Sequence, residues 1–453
     1  MKTSKIALLA GVILFFSNQL EAQKVQVWLT KGDQSKKFEK QKEEYFFEKK
    51  DSDIPTILVD DSRRFQTMDG FGFSLTGGSA ILLNRMTNKS EVLKELFGTQ
   101  DNAIGISYLR ISIGASDLDS AVFSYSEKKG HFSLAEDEKN LIPVLKEILK
   151  INPKLKILGS PWSPPIWMKT NNNSIGGSLK KENYQDYADY LVRYLGSMKK
   201  KGITIDAITV QNEPLHPGNN PSLLMLGSEQ AEFVKNNLGP ALVKSGLKTK
   251  IIIYDHNADR PDYPIRVLSD PAARKYIDGS AFHMYGGNVE TLTEVHEAFP
   301  DKGLYFTEQW IGHPTNFQGD LTWHIKNLVI GASKNWCKTV LEWNLAADPY
   351  QKPHTPGGCT ACLGAITIDG NNFSKNTAYY IIAHASKFVR PGSIRIASNT
   401  TMSLPNVAFK TSDGKTVLIV LNESDKEIDL SISSKGNRIF QKLDAFTVAT
   451  YVW

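Results

Sequence analysis

Two glutamates stand where an apolar run gives way to a loop: Glu213 in NEP (212–214), and Glu308 after YFT (305–307). Paired carboxyl groups at opposed strand ends are what hydrolysis of a glycosidic bond needs. One protonates the leaving oxygen while the other attacks or stabilises the anomeric carbon. Pro214 takes the chain out of its strand and is expected to restrict Glu213 to an extended backbone. Asn212 can hydrogen-bond a sugar hydroxyl, a contact that strengthens in the transition state. Flat rings can bury the C–H faces of a sugar while polar groups take its hydroxyls. Trp162, Trp167, Tyr285, Trp310 and Trp343 all fall at or just after strand-like runs. Asp117 either binds a hydroxyl or ends a strand. His256 and His283 could orient a carboxylate, donate to substrate, or sit satisfied in a wall. Their spacing matches no metal-ligand pattern, so no metal and no cofactor is expected.

Eight β-branched runs carry these groups: Gly70–Leu75, Ile106–Ile113, Lys156–Ser160, Ala207–Gln211, Ile251–Asp255, Ala281–Tyr285, Leu304–Thr307 and Val340–Trp343. Longer amphipathic stretches such as Tyr184–Lys200 and Leu321–Lys334 alternate with them. This is the signature of repeated βα units around a parallel sheet, and eight is the count of a (β/α)8 TIM barrel. Nearly every run ends in polar or aromatic residues, including Arg110, Ser160, Gln211, Asp255, His283 and Glu342. The C-terminal strand ends form the working face of such a barrel. Beyond about residue 390 short strands parted by SDG and SKG turns indicate an antiparallel β-sandwich, to which Val25–Leu29 could add a strand.

The composition of the 453-residue chain is that of an ordinary globular protein, 41% hydrophobic and 22% charged. A net charge of +5 and the absence of a strong basic cluster give no reason to expect a nucleic-acid partner. Lys2 and Lys5, the apolar stretch Ile6–Phe16 and small Ala22 form an export signal, too short to span a bilayer. A secreted or periplasmic monomer, not inserted in a membrane, is expected. Of three cysteines, Cys359 and Cys362 have CxxC spacing. A local disulfide, two free thiols and a metal or redox pair all remain open.

Several short segments occur in one order: GFGFSLT (70–76), LRIS (109–112) with Asp117, SPWSPP (160–165), TVQNEP (209–214), HMY (283–285), FTE (306–308), EWNLA (342–346) and SKF (386–388) before PGS (391–393). As an ordered set they resemble glycoside hydrolase family 30, which includes the glucosylceramidases. The resemblance implies a barrel fused to a β-sandwich built partly from the N-terminal segment. It divides the chain into a signal peptide over 1–22, sandwich strands within 23–65, a catalytic barrel over 66–388 and the sandwich over 389–453. It also implies a retaining double displacement, with Glu213 as acid/base and Glu308 as nucleophile. Substrate-binding positions fall on Asp117, Trp162, Asn212, Tyr285 and Trp343, joined by His283 and Trp310 from their strand-end placement. EPLHPGNNP (213–221) and PGGCTAC (356–362) look like the endo-β-1,6-glucanase subgroup, which implies a β-glucan substrate. Met284, where an aromatic is usual, and Gln309 with Trp310 after the nucleophile depart from the glucosylceramidase pattern.

Overall fold

The computed structural model describes residues 24–51, 53–400 and 404–453. The export signal expected over 1–22 lies outside them. Among the described residues no helix is long and apolar enough to cross a membrane.

Eight parallel strands close a barrel: β1 Gly70–Ser74, β2 Tyr108–Ile113, β3 Lys156–Pro161, β4 Ala207–Thr209, β5 Lys250–Asn257, β6 Ile277–His283, β7 Gly303–Glu308 and β8 Cys337–Asn344, which pairs back to β1. These are the eight runs of the sequence, with most of their edges shifted by one to four residues. The fourth stops at Thr209, before Gln211, and the sixth ends at His283, before Tyr285.

Side chains alternate along a strand, and here alternate residues serve two different cores. Tyr108, Leu158, Ala207, Ile252, Ala281, Tyr305 and Leu341 form one apolar cluster inside the barrel. Their neighbours Leu109, Ile157, Ile208, Phe282, Phe306 and Val340 join the larger core under the surrounding helices. Two residues beyond the inner layer the same period brings Arg110, Ser160, Thr209, His283, Thr307 and Trp343 inward. The polar layer therefore rests on an apolar floor. β5 breaks the period. Its pairing with β6 shifts register at Tyr254, and Tyr254 and Asp255 both have left-handed backbones, φ 70° and 67°. This extra residue leaves Tyr254 in the outer core and swings Asp255 inward.

The sandwich domain contains a ten-stranded sheet that draws on both ends of the chain. Lys24–Lys31 pairs antiparallel with Thr447–Val452. Thr56–Thr67 lies between Ile394–Ser398, antiparallel, and Ile428–Ser434, parallel. That parallel pair departs from the expected antiparallel arrangement. Its two strands come from distant parts of the chain, so no hairpin dictates their direction. The two domains meet at the buried helix Thr377–Ser386, where His384 bonds Thr450 through Nδ1 and Thr30 through Nε2, each at 2.8 Å.

Candidate active site

Arg110 enters the barrel from β2 with no exposed surface, and a buried guanidinium is tolerable only when fully paired. Its Nη1 donates to Glu308 Oε2 at 2.5 Å and its Nε to Ser160 Oγ at 3.0 Å. Nη2 donates to Asn212 Oδ1 at 2.6 Å and Asp255 Oδ2 at 2.8 Å. Asp255 also accepts from Ser160 at 3.1 Å, Thr209 at 2.7 Å and Thr307 at 2.7 Å. Burial opposes its charge, but Arg110 and His283 hold its carboxyl well below the usual range. Motif spacing assigns no role to Arg110 or Asp255. The available signal is an arginine inside YLRISI (108–113), a run otherwise buried and uncharged.

Glu213 departs from the expected extended backbone: its φ is 43°, in the left-handed region. Its N–H donates to Asp255 O at 2.9 Å and its carbonyl accepts from His216 N–H at 2.9 Å, closing a tight turn. These bonds override the local preference imposed by Pro214, at a cost of about 1–3 kcal/mol. The turn brings Glu213 opposite Glu308, and carboxylate oxygens of the two, with a nitrogen of His283, lie within 4.8 Å of one another. Retaining glycosidases hold their carboxyl groups roughly 5–5.5 Å apart, inverting ones roughly 6.5–9.5 Å.

His283 bridges the cluster. Its Nδ1 is 3.1 Å from Glu213 Oε1 and 3.8 Å from Glu308 Oε1, and its Nε2 is 3.2 Å from Asp255 Oδ1. Burial works against an imidazolium, but the Glu308 charge and the bonds to Asp255 and Glu213 outweigh it and raise His283 to about 9. Burial also raises both glutamates. At Glu213 the bond and charge of His283 win, and the carboxyl is lowered. At Glu308 burial wins against the charges of His283 and Arg110, and the carboxyl is raised. The three groups titrate as one coupled unit. Tyr285 keeps its ring edge at the rim while its hydroxyl turns inward to donate to Glu308 Oε1 at 2.9 Å. Both oxygens of Glu308 thus hold donors, whereas the Glu213 carboxyl has only His283 among the described residues.

A cavity of about 480 Å³ opens over this cluster, lined by both glutamates, Asp117, Trp162, Tyr285, Trp310, Trp343 and His256. Trp162 and Trp343 stack at 5.4 Å, with the Arg110 guanidinium 4.7 Å from the Trp162 ring. Asn212 and His283 are not on the lining; they bond Arg110 and Glu213 behind it. Trp167 is elsewhere, donating to Ser126 O at 2.9 Å. Glu342, grouped by sequence with the strand-end polar residues, faces out of the barrel and bonds His324 at 2.8 Å. Cys359 and Cys362 are joined in a disulfide and line the same cavity. The Cys359 N–H donates to Asp117 Oδ2 at 3.3 Å, and burial beside Glu308 raises the Asp117 carboxyl to about 7. A larger recess of about 700 Å³ lies along 119–141, but its buried Asp119 and Asp137 are bonded by Ser116 and Tyr125, and neither glutamate reaches it. Glu213, His283 and Glu308 are spaced to hold a cation, yet His283 Nδ1 carries a proton at neutral pH and already bonds Glu213.

Residues 68–389 match the glycosyl hydrolase family 30 TIM-barrel domain, and 392–451 match the family 30 beta sandwich domain. The chain is similar to the endo-1,6-beta-D-glucanase of Neurospora crassa, 32% identical over 418 residues and 85% of each chain. It is 29% identical over 429 residues to the lysosomal acid glucosylceramidase of Mus musculus, covering 88% of this chain and 83% of that one. Among solved structures it resembles the endo-beta1,6-glucanase BT3312, with TM-score 0.90 and 35% identity over 95% of this chain and 99% of that one.

Proposed function

The chain belongs to glycoside hydrolase family 30 and is a glycosidase; on that premise we propose that it is a retaining endo-β-1,6-glucanase. The observation that carries the retaining mechanism is the approach of the Glu213 and Glu308 carboxylates to within 4.8 Å, too close for a water to attack between them and the sugar.

Glu308 is the nucleophile. Arg110 and Tyr285 donate to its two oxygens, which favours the carboxylate form against its burial and aims it at the anomeric carbon. As the glycosyl ester forms, the C–O bond to the leaving sugar breaks and Glu213 protonates the departing oxygen. Before substrate binds that proton resides on His283, across a 3.1 Å hydrogen bond from Glu213. A glycosyl unit that displaces water deepens the burial of Glu213 and draws the proton onto it. Glu213, then ionised, takes a proton from the water that hydrolyses the ester. The stacked Trp162 and Trp343 give the sugar an apolar face, and Asp117 accepts from a hydroxyl.

The β-1,6 linkage and endo action are supported by relatives described as endo-1,6-beta-glucanases and by the two loops that resemble that subgroup. The similarity to a glucosylceramidase keeps a glucolipid as the second reading. Product analysis on linear β-1,6-glucan, β-1,3-glucan, xylan and glucosylceramide separates them. Oligosaccharides of mixed length from the first substrate are expected; cleavage of glucosylceramide alone would overturn the assignment.

A further inference from the structure

Arg110 and Arg395 are the two arginines buried among the described residues, and the fold treats them differently. Arg110 has Asp255 and Glu308 as counter-ions. Arg395, in the sandwich strand Ile394–Ser398 and 6% exposed, has none among the described residues. Its Nε donates to Gln66 Oε1 at 2.9 Å. Its guanidinium lies 3.6 Å from the centre of the Phe65 ring and 5.3 Å from that of Trp336. Neither Nη nitrogen has a hydrogen-bond partner there, and neither belongs to the unpaired atoms sealed from solvent. Arg395 lines a cavity of about 420 Å³ together with Arg63, Lys334, Phe65, Ile396 and Val407. Lys334 Nζ donates to Thr400 Oγ1 at 2.8 Å and, like Arg63, forms no ion pair among the described residues. Asp60 also lines the cavity, but it accepts from Ser62 N–H at 2.9 Å and Oγ at 2.6 Å and pairs with none of these cations. Burial lowers Arg395 to about 10, and burial with the Arg395 charge lowers Lys334. Gln66 Nε2 donates to Cys337 O, at the start of β8. The cavity therefore lies on the seam between the sandwich and the N-terminal strand ends, at the opposite end of the barrel from the glutamates.

We propose that this seam holds a second binding site, for an organic oxyanion whose carboxylate or phosphate group is held by Arg395 and Lys334. A buried charge without a partner is costly, and an anion between the two cations relieves both. A guanidinium fork matches a carboxylate or phosphate through two parallel hydrogen bonds, and an ammonium adds a compact charge. The apolar lining and a volume near that of the catalytic cavity admit an organic body of about one sugar unit. Because Lys334 belongs to the barrel and Arg395 to the sandwich, the ligand ties the two domains together. The site is independent of the glycosidase assignment.

The test titrates the whole chain calorimetrically with D-glucuronate, glucose 6-phosphate and inorganic phosphate, with sodium chloride holding the ionic strength constant. Saturation by glucuronate or glucose 6-phosphate at or below about 1 mM is expected, and the tighter of the two tells carboxylate from phosphate. Lys334→Gln should weaken that binding about tenfold or more, the weight of one charged hydrogen bond. Arg395→Gln should abolish it, and Arg395→Lys, which keeps the charge without the fork, should not restore the parent's affinity. Lys334 lies outside the catalytic machinery, so glucan hydrolysis by Lys334→Gln should match the parent's and reports a folded chain. Saturation by none of the three anions would overturn the proposal, and saturation by inorganic phosphate alone would overturn the organic ligand. Affinity unchanged in Lys334→Gln and Arg395→Gln, or inhibition by the anion competitive with glucan, would place the binding elsewhere and overturn it too.

Discussion

Glu213 donates its backbone N–H to the carbonyl of Asp255 at 2.9 Å, and both residues hold left-handed backbones, φ 43° and φ 67°. Two strained turns on neighbouring strands thus brace each other. Asp255 adds a second tie, because its carboxylate collects Arg110, Ser160, Thr209, Thr307 and His283 beneath the cavity. Asp255→Ala leaves the Arg110 guanidinium short of a partner inside the barrel. The expected cost is about 3–5 kcal/mol of stability, read as a lower midpoint in urea, with activity falling at least 100-fold in the fraction that stays folded.

Glu308→Ala and Glu213→Ala should each lower turnover on glucan by several orders of magnitude with the circular dichroism spectrum unchanged. Azide should rescue Glu308→Ala and yield a glycosyl azide of inverted configuration. Activity near that of the parent in either variant would remove the corresponding role. EDTA should leave turnover unchanged.

Tyr285→Phe removes the donor to Glu308 Oε1 and keeps the ring at the rim. The loss falls on kcat, about 10–100-fold for one preorganised donor, with KM changed little. A rise in KM at constant kcat would instead assign Tyr285 to binding alone.

The Cys359–Cys362 disulfide fixes the loop whose N–H reaches Asp117, so opening it should loosen substrate before it slows chemistry. Dithiothreitol, or the Cys359→Ala/Cys362→Ala double variant, is expected to raise KM several-fold, the weight of about one hydrogen bond. An unchanged KM in the double variant would show that the loop holds its shape without the bond.

His384, buried between the domains against Thr30 and Thr450, is kept neutral by burial, which lowers it to about 3. The unfolded chain takes up that proton near 6.5, so stability is full above this pH and lost as pH falls towards 3. About 2 kcal/mol should disappear between pH 7 and 5, and His384→Gln should flatten that slope in thermal melts. Comparing parent with variant separates this from Asp119 and Asp137. Burial raises both to about 7, so they lose stability as pH rises. Parallel slopes in parent and variant would dismiss His384 as the source.

What the sequence determined by itself is the barrel and the identity of its working face. Short apolar, β-branched runs and the polar residues that end them are local patterns, and they place Glu213, Glu308, Trp162 and Trp343 at one mouth without reference to the rest of the chain. Tertiary structure decided what those patterns cannot encode. One extra residue in β5 turned Asp255 inward and Tyr254 outward, because a bulge reverses every later side chain while leaving composition unchanged. Long-range hydrogen bonding pulled Glu213 into a left-handed turn despite Pro214 and turned Glu342 away to His324. It also left His256 Nδ1 buried without a hydrogen-bond partner among the described residues. The partners of buried polar groups lie far off in the chain, so only the closed barrel reveals which are paired and which are not.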